Sequence, residues 1–263
     1  MKKTYKNHIV KKNFGQHFLR NRKIIKKIIK SINPNKKENF LEIGPGMGEI
    51  TVPMIKIVKN ISAIEVDKSI FHILKKNPKL KNLSLILQDA RKFDFSKIEN
   101  KHPGLLRIFG NLPYNISKNL LFKSIKYIEY IQDMHFTLQK EVAEKIISNP
   151  GSKKYGRISV IMQTFYKITP IFSILAKEFY PIPKVNSMFL KFIPYKKNYI
   201  SSKNKKKLFF ITKLAFLNRR KKLSNSLKSI LKPIDFKKNN IDSSLRAEDL
   251  DIYKYYKLTK IIK

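Results

Sequence analysis

The chain has no cysteine and no tryptophan among its 263 residues, only 8 glycines, and 18 acidic residues against 57 lysines and arginines. Without cysteine there are no disulfides, thiolate zinc sites, iron–sulfur clusters or cysteine nucleophiles. Five histidines, at 8, 17, 72, 102 and 135, include no pair at the helical spacing of a metal site. These absences argue against a metal or redox enzyme, and no metal is expected. No uncharged apolar run approaches the roughly 20 residues that span a bilayer. The basic stretch Met1 to Lys12 has neither an apolar segment nor a cleavage site. The expectation is a soluble cytoplasmic protein with no membrane partner.

What is present is a packed globule: 42% of residues are hydrophobic and 11% aromatic, enough for one large or two smaller domains. On that body sits a formal charge of +39. A basic excess points to a polyanionic partner, but 49 of the basic residues are Lys and 8 are Arg, and Ile outnumbers Ala 38 to 6. An A+T-rich coding sequence produces the same skew, so the bulk charge is weakly informative. Its distribution says more. Residues 195–263 carry 20 basic and 5 acidic residues, nearly twice the positive charge per residue of the preceding chain, as in a partner-facing module.

From Phe40 to about Leu138, short apolar runs alternate with helical patterns, the signature of a mostly parallel sheet with crossover helices. Strands are expected at Phe40–Ile43, Ile61–Val66, Leu83–Leu87, Leu105–Phe109 and Met134–Leu138, with later ones at Ile168–Leu175 and Ser187–Ile193. Helices are expected over Ile50–Val58, Lys68–Lys75, Ile116–Tyr127, Lys140–Ser148 and Arg157–Tyr166. Tyr195–Lys207, rich in Lys, Ser and Asn, reads as a linker to a second, all-α unit with helices over Leu208–Leu231, near Ser243–Leu250 and from Ile252. The domains expected are therefore 1–195 and 196–263.

Three strand ends carry chemistry. The first runs into Gly44-Pro45-Gly46-Met47-Gly48, where glycines let the backbone turn tightly beside a nucleotide-like ligand. The GxGxG spacing and the lack of a Walker Lys-Ser/Thr disfavour dinucleotide and triphosphate cradles, and an ordinary tight turn is the alternative. The second ends at Glu65, 21 residues after Gly44, where a carboxylate accepts from ribose hydroxyls. The third ends at Asp89, placed to accept from an adenine amino group; singly, each acid also reads as a strand end or helix cap. Together they fit adenosine bound along the carboxyl edge of the sheet.

The fourth strand leads into Asn111-Leu112-Pro113-Tyr114. Methylating an exocyclic amino group, whose lone pair is delocalised into the ring, requires acceptors for both N–H bonds. The Asn111 side-chain oxygen and the Leu112 carbonyl supply them, Pro113 fixes the loop, and Tyr114 offers a face for the base. The alternative is a Pro turn with Tyr114 in the core.

With these residues in view, the sequence resembles the ribosomal RNA adenine N6,N6-dimethyltransferase family, in particular its bacterial small-subunit dimethyladenosine branch. The matching segments include Phe14-Gly15-Gln16-His17-Phe18-Leu19, Glu42-Ile43-Gly44-Pro45-Gly46, Glu65-Val66-Asp67, Gln88-Asp89-Ala90, Gly110-Asn111-Leu112-Pro113-Tyr114-Asn115-Ile116-Ser117, Pro183-Lys184-Val185 and Asn218-Arg219-Arg220-Lys221. The resemblance implies an α/β fold: a Rossmann-like methyltransferase sheet, mostly parallel with one antiparallel strand, and a small all-α C-terminal domain. It implies S-adenosylmethionine as methyl donor, contacted by His17, Leu19, Gly44, Glu65, Asp89 and Asn111. Asn111 to Tyr114 would grip the adenine, with Phe179 as a second aromatic wall. His17 departs from the Asn common in relatives. The implied substrate is two adjacent adenines near the 3′ end of small-subunit rRNA, each taking two methyls, and the implied partner is the small ribosomal subunit rather than DNA, approached by a monomer. Arg219, Arg220, Lys221 and Lys222, read as lying on a helix, would contact phosphates, although a charge run is also an ordinary solvated face.

Three other readings remain at the level of sequence: a large-subunit rRNA adenine methyltransferase of the same family, a ribosome-assembly factor for which methylation is secondary, and a nicotinamide oxidoreductase. The NLPYNIS loop and the second-domain residues favour the small-subunit enzyme over the first. The intact Gly44, Glu65, Asp89 and Asn111 set argues against the second, and the GxGxG spacing against the third.

Overall fold

The computed structural model describes residues 3–99, 104–195 and 200–262. They form two compact units, one of Met1–Ala143 with Ile168–Pro194, the other of Glu144–Lys167 with Tyr195–Lys263. The first is built on a seven-stranded sheet: β1 (Asn39–Ile43), β2 (Asn60–Glu65), β3 (Ser84–Leu87), β4 (Leu106–Asn111), β5 (Ile131–Gln139), β6 (Tyr166–Ile174) and β7 (Ser187–Pro194). Their spatial order is β3-β2-β1-β4-β5-β7-β6. β3 through β5 pair in parallel, and β7 pairs antiparallel with β5. Every residue of β1 is buried, as expected of a central parallel strand covered on both faces. The observed strands lie within a few residues of the expected ones.

Helix Arg22–Ile32, which the strand-by-strand reading did not include, closes one face of the sheet. Its isoleucines recur at helical spacing, with Ile25, Ile28 and Ile32 buried. Asn21 caps its start by accepting from the Lys23 and Ile24 backbone N–H groups, and Asn33 ends it in the left-handed region. These isoleucines join Leu19, Phe40, Ile61, Phe109, Phe179 and Phe189 in one apolar cluster, while Phe18, Met47, Ile70, Leu74 and Leu80 form a second. From β4, the buried Arg107 holds this helix by its C-terminal carbonyls, donating to Ile32 O at 2.6 Å and Asn33 O at 3.2 Å. The same guanidinium makes a two-pronged pair with Asp133 at 2.9 and 2.8 Å and a second ion pair with Glu38 at 2.8 Å.

Three expected helices are cut differently. Ile50–Val58 shortens to Thr51–Met54, because the chain turns to enter β2 at Asn60. Ile116–Tyr127 is helical over Ser117–Ser124 and then tightens to a 3-10 turn over Ile125–Tyr130, broken at Tyr127. Half of the expected linker is helix. Ser201 caps a helix running from Ser202 to Leu217, Asn218 leaves helical geometry, and Leu223–Ser226 is a separate turn. Residues 196–199 of that linker lie outside the described residues.

The second unit packs the helices Arg157–Phe165, Ser202–Leu217 and Ile252–Ile261 together. Leu208, Ile211, Ala215, Leu223, Leu227, Tyr255 and Leu258 are buried, and the Tyr255 hydroxyl donates to Ala247 O at 2.7 Å. The division between units therefore does not fall simply at residue 195. Helix Arg157–Phe165 packs against Ser202–Leu217, where Arg157 donates to Phe209 O at 3.2 Å and lies over the Phe209 ring, so this segment joins the helical unit rather than the sheet. Among the described residues no helix is long and apolar enough to cross a membrane.

Candidate cofactor and substrate site

The carboxyl ends of β1, β2, β3 and β4 open onto one cavity. The turn after β1 needs its glycines: Gly44 and Gly46 have φ of 70° and 56°, and a side chain on Gly46 would press on the Phe18 ring at 3.1 Å. This cavity is lined by Phe14 to Leu19, Glu42 to Gly46, Glu49, Glu65, Gln88 to Ala90, and Asn111 to Tyr114, among others. Every residue assigned to donor binding or to gripping the base from sequence is therefore brought together around it, except Phe179.

Phe179 is fully buried, pairs with Leu19 across a short two-stranded ribbon, and sits in the apolar cluster beneath helix Arg22–Ile32. It is a core residue here, not a wall of the cavity. The ring lying against Tyr114 is that of His17, with centroids 5.4 Å apart and planes at 27°. His17 Nδ1 is 2.7 Å from Pro181 O, so it carries the proton of that hydrogen bond.

Asn111 terminates β4 with its side chain oriented. Its Nδ2 donates to His17 O at 2.8 Å, which leaves the acceptor Oδ1 for a donor arriving in the cavity. The Leu112 N–H is tied to Thr137 O at 3.2 Å. Tyr114 Oη is 2.9 Å from Ser187 Oγ, and burial raises the phenol's pKa, so it stays neutral. Gly110, just before Asn111, was not singled out by sequence as a steric requirement. A Cβ there would fall 2.4 Å from Ile43 O.

The electrostatics are inverted relative to the chain as a whole. Among the described residues, four acids, Glu42, Glu49, Glu65 and Asp89, line the cavity and no Lys or Arg does. Burial raises Glu65 to about 7, although the N–H groups of Asp67, Val66 and Gly46 stabilise its charge. Burial raises Glu42 to about 8, opposed by its bond from Thr51 Oγ at 2.6 Å and reinforced by the charges of Glu49 and Glu65. Asp89 sits below the usual carboxylate range because the Arg91 side chain binds both of its oxygens, at 2.7 to 3.1 Å. Lys123 donates to the carbonyls of Ala90 and Phe93 and fastens the loop that carries Asp89. A cavity of this kind suits a cationic ligand such as a sulfonium carrying an ammonium group. Of the acids, Glu42 and Glu49 were given no role from sequence: Glu42 stands inside the β1 run just before Gly44, where it reads as part of the strand, and Glu49 lies beyond the glycine turn.

The segment that forms one side of the cavity is latched from below. Asp67, fully buried, accepts from Lys11 Nζ at 2.5 Å, Gln16 Nε2 at 2.8 Å and Ser69 Oγ at 2.6 Å. Burial works to raise the Asp67 pKa, yet these bonds outweigh it and hold the carboxyl at about 2. Gln16 Oε1 in turn accepts from the Lys11 N–H at 2.8 Å, so the stretch before Phe18 is fixed by side chains on both sides.

In the helical unit, Arg219 to Lys222 lie off the helix, because Asn218 has left helical geometry: Arg219 and Arg220 are in a turn, Lys221 in a bend, and Lys222 bridges antiparallel to Arg246. Arg219 is held inside the unit by Glu248 and by Lys153 O, the latter at 2.6 Å. Arg220, Lys221 and Lys222 are exposed.

Comparison with known proteins points the same way. A protein 45% identical over 262 residues, covering 100% of this chain and 96% of its own length, is the ribosomal RNA small subunit methyltransferase A of Buchnera aphidicola subsp. Schizaphis graminum. In fold, the chain resembles a dimethyladenosine transferase from Plasmodium falciparum, with a TM-score of 0.76 at 24% identity, covering 92% of this chain and 95% of that one. The 23S rRNA methyltransferase ErmE superposes with a TM-score of 0.68 at 18% identity, covering 93% and 99%. The sequence profile of the ribosomal RNA adenine dimethylase family matches residues 7–263, from the latched N-terminal segment through the Asn111 loop to the last helix, and the chain belongs to that family.

Proposed function

We propose that this chain transfers methyl groups from S-adenosylmethionine to N6 of two adjacent adenosines near the 3′ end of small-subunit rRNA, two to each, during assembly of that subunit. The observation that carries the reading is the Asn111 amide. It is oriented by donation to the His17 carbonyl at 2.8 Å, at the tip of β4, beside the Gly44 turn.

S-adenosylmethionine supplies a methyl group on a sulfonium whose leaving group is a neutral thioether. Glu65 would hold the ribose hydroxyls, Asp89 the adenine amino group, and Gly44, His17 and Leu19 would pack around the rest. The target base is turned out of its stack and laid beside Tyr114. Asn111 Oδ1 and the Leu112 carbonyl accept the two N6 hydrogens, which draws the nitrogen toward tetrahedral geometry and frees its lone pair for in-line attack. The proton on N6 becomes more acidic as the new bond forms, so no dedicated acid–base pair is needed. No metal is called on. The exposed Arg220, Lys221 and Lys222 would contact phosphates of the folded rRNA. We place the enzyme in the cytoplasm as a monomer.

The 45% identity to a relative named for the small subunit favours that substrate over the large subunit, which fold likeness does not separate. Transfer of labelled methyl from S-adenosylmethionine to unmethylated small and large subunits, with the modified base mapped, tests the reading. Label in adjacent adenines of the small subunit supports it, and label confined to the large subunit replaces it with the alternative.

A further inference from the structure

The loop between Tyr180 and Ser187 places bulky apolar side chains in water. Pro181 and Pro183 are buried, yet Ile182 between them is 58% exposed and Val185 is 40% exposed, with Lys184 exposed beside it. Turns of this kind ordinarily show polar residues to solvent, and no packing in the first unit calls for an isoleucine there.

Both ends of the loop are tied to the aromatic platform of the site. At one end the Pro181 carbonyl accepts from His17, whose ring lies against Tyr114; at the other, Ser187 Oγ is 2.9 Å from Tyr114 Oη. Asn186 secures the second end further, its side chain accepting from the Ala176 N–H and its carbonyl from the Lys140 N–H, both at 2.9 Å. The loop is thus a short bridge with both feet on the residues that would receive the base, and its exposed crest is Ile182. Two prolines fix φ on either side of that residue, so its side chain is presented without the freedom of an ordinary loop.

Building on the adenine-methyltransferase reading, we propose that Ile182 is a wedge. It enters the stack of the RNA at the place an adenine leaves, covers the apolar faces of the neighbouring bases, and keeps the extruded base from returning while Lys184 meets the adjacent phosphate. Apolar wedges offset the cost of unstacking in other nucleic-acid deformations, and extrusion is obligatory for a base whose amino group must reach a cavity. Ile182 touches neither donor nor reacting atoms; it is a positioning residue.

The test compares wild type, Ile182→Ala and Ile182→Met on two unmethylated small subunits. One carries native rRNA, and the other is reconstituted with rRNA bearing a mismatch next to the target adenines that loosens their stack. On the native subunit, Ile182→Ala is expected to lower kcat about tenfold, leaving KM for the subunit and the Kd for S-adenosylmethionine unchanged. On the loosened subunit the loss shrinks to about twofold or less, and Ile182→Met, long and apolar, restores the native rate. A wild-type rate for Ile182→Ala on the native subunit overturns the proposal, as does an equal loss on both subunits. A wild type that methylates neither overturns the underlying reading along with it.

Discussion

At the scale of single residues, the site is a small acidic chamber in a strongly basic protein, and its chemistry rests on which atoms are already engaged. Asn111 has given its donor to His17 and keeps its acceptor. Replacing it by Ala is expected to reduce methyl transfer by about 10²- to 10³-fold, as loss of one oriented transition-state hydrogen bond does elsewhere, while subunit binding stays nearly intact. Normal transfer by that variant would remove the mechanism. Glu42 and Glu65 make a second prediction. Their folded pKa values, about 8 and about 7, lie above the ordinary 4.5, so the folded state holds protons that the unfolded chain releases. Stability of the ligand-free protein should therefore be highest near pH 4.5 and fall as pH rises from there through 7 to 8, by roughly 1.4 kcal/mol per pH unit for each of the two groups until its folded pKa is passed. Asp67 acts in the opposite sense, its contribution lost only as pH falls from about 4 towards 2, outside that window. Urea unfolding at pH 5.5 and 8.5 measures the decline, and Glu65→Gln should shrink it. The same protons must leave when a cation binds, so affinity for S-adenosylmethionine should rise over the same interval.

At the scale of elements, what the sequence announced and what it hid divide along physical lines. The central strands were legible because buried parallel strands are continuous apolar runs, and the Gly44, Glu65, Asp89 and Asn111 ends followed from them. Phe179 was misplaced because a lone aromatic at a strand end gives no sign of which side of the chain it packs on, and here it packs inward. The Arg219–Lys222 run was read as helix because its neighbours are helical, whereas the break at Asn218 is a backbone event without a Pro or Gly to mark it. Two consequences can be measured. Arg220→Gln should weaken subunit binding and reduce the slope of log affinity against log salt by about 1, whereas Arg219→Gln, which loses its ties to Glu248 and Lys153, should lower the melting temperature instead. Equal salt slopes for Arg220→Gln and wild type would take the turn out of the RNA interface. Arg107→Met strands Asp133 in the interior and releases the end of helix Arg22–Ile32. It should cost about 3–5 kcal/mol in urea unfolding, more than any substitution in the cavity.

At the scale of the whole molecule, the excess of lysine says little about the reaction, because the cavity is set apart from it: among the described residues no Lys or Arg reaches the lining. The protein keeps a negative chamber for a cationic donor while its surface favours a polyanion, a separation of signs that net charge alone does not reveal. A further consequence attaches to Gly110. Ile43 and Gly110 are neighbours across β1 and β4, with no room for even a methyl group between them, and the very next residues are Gly44 and Asn111. The turn that would cradle the donor and the amide that would steady the acceptor thereby both follow directly on the close-packed ends of two paired strands. Glycine at 110 would then act as a gauge block: a side chain there would push β4 from β1 and lengthen the reach from donor to base, so Gly110→Ala is expected to cost more in methyl transfer than in folding.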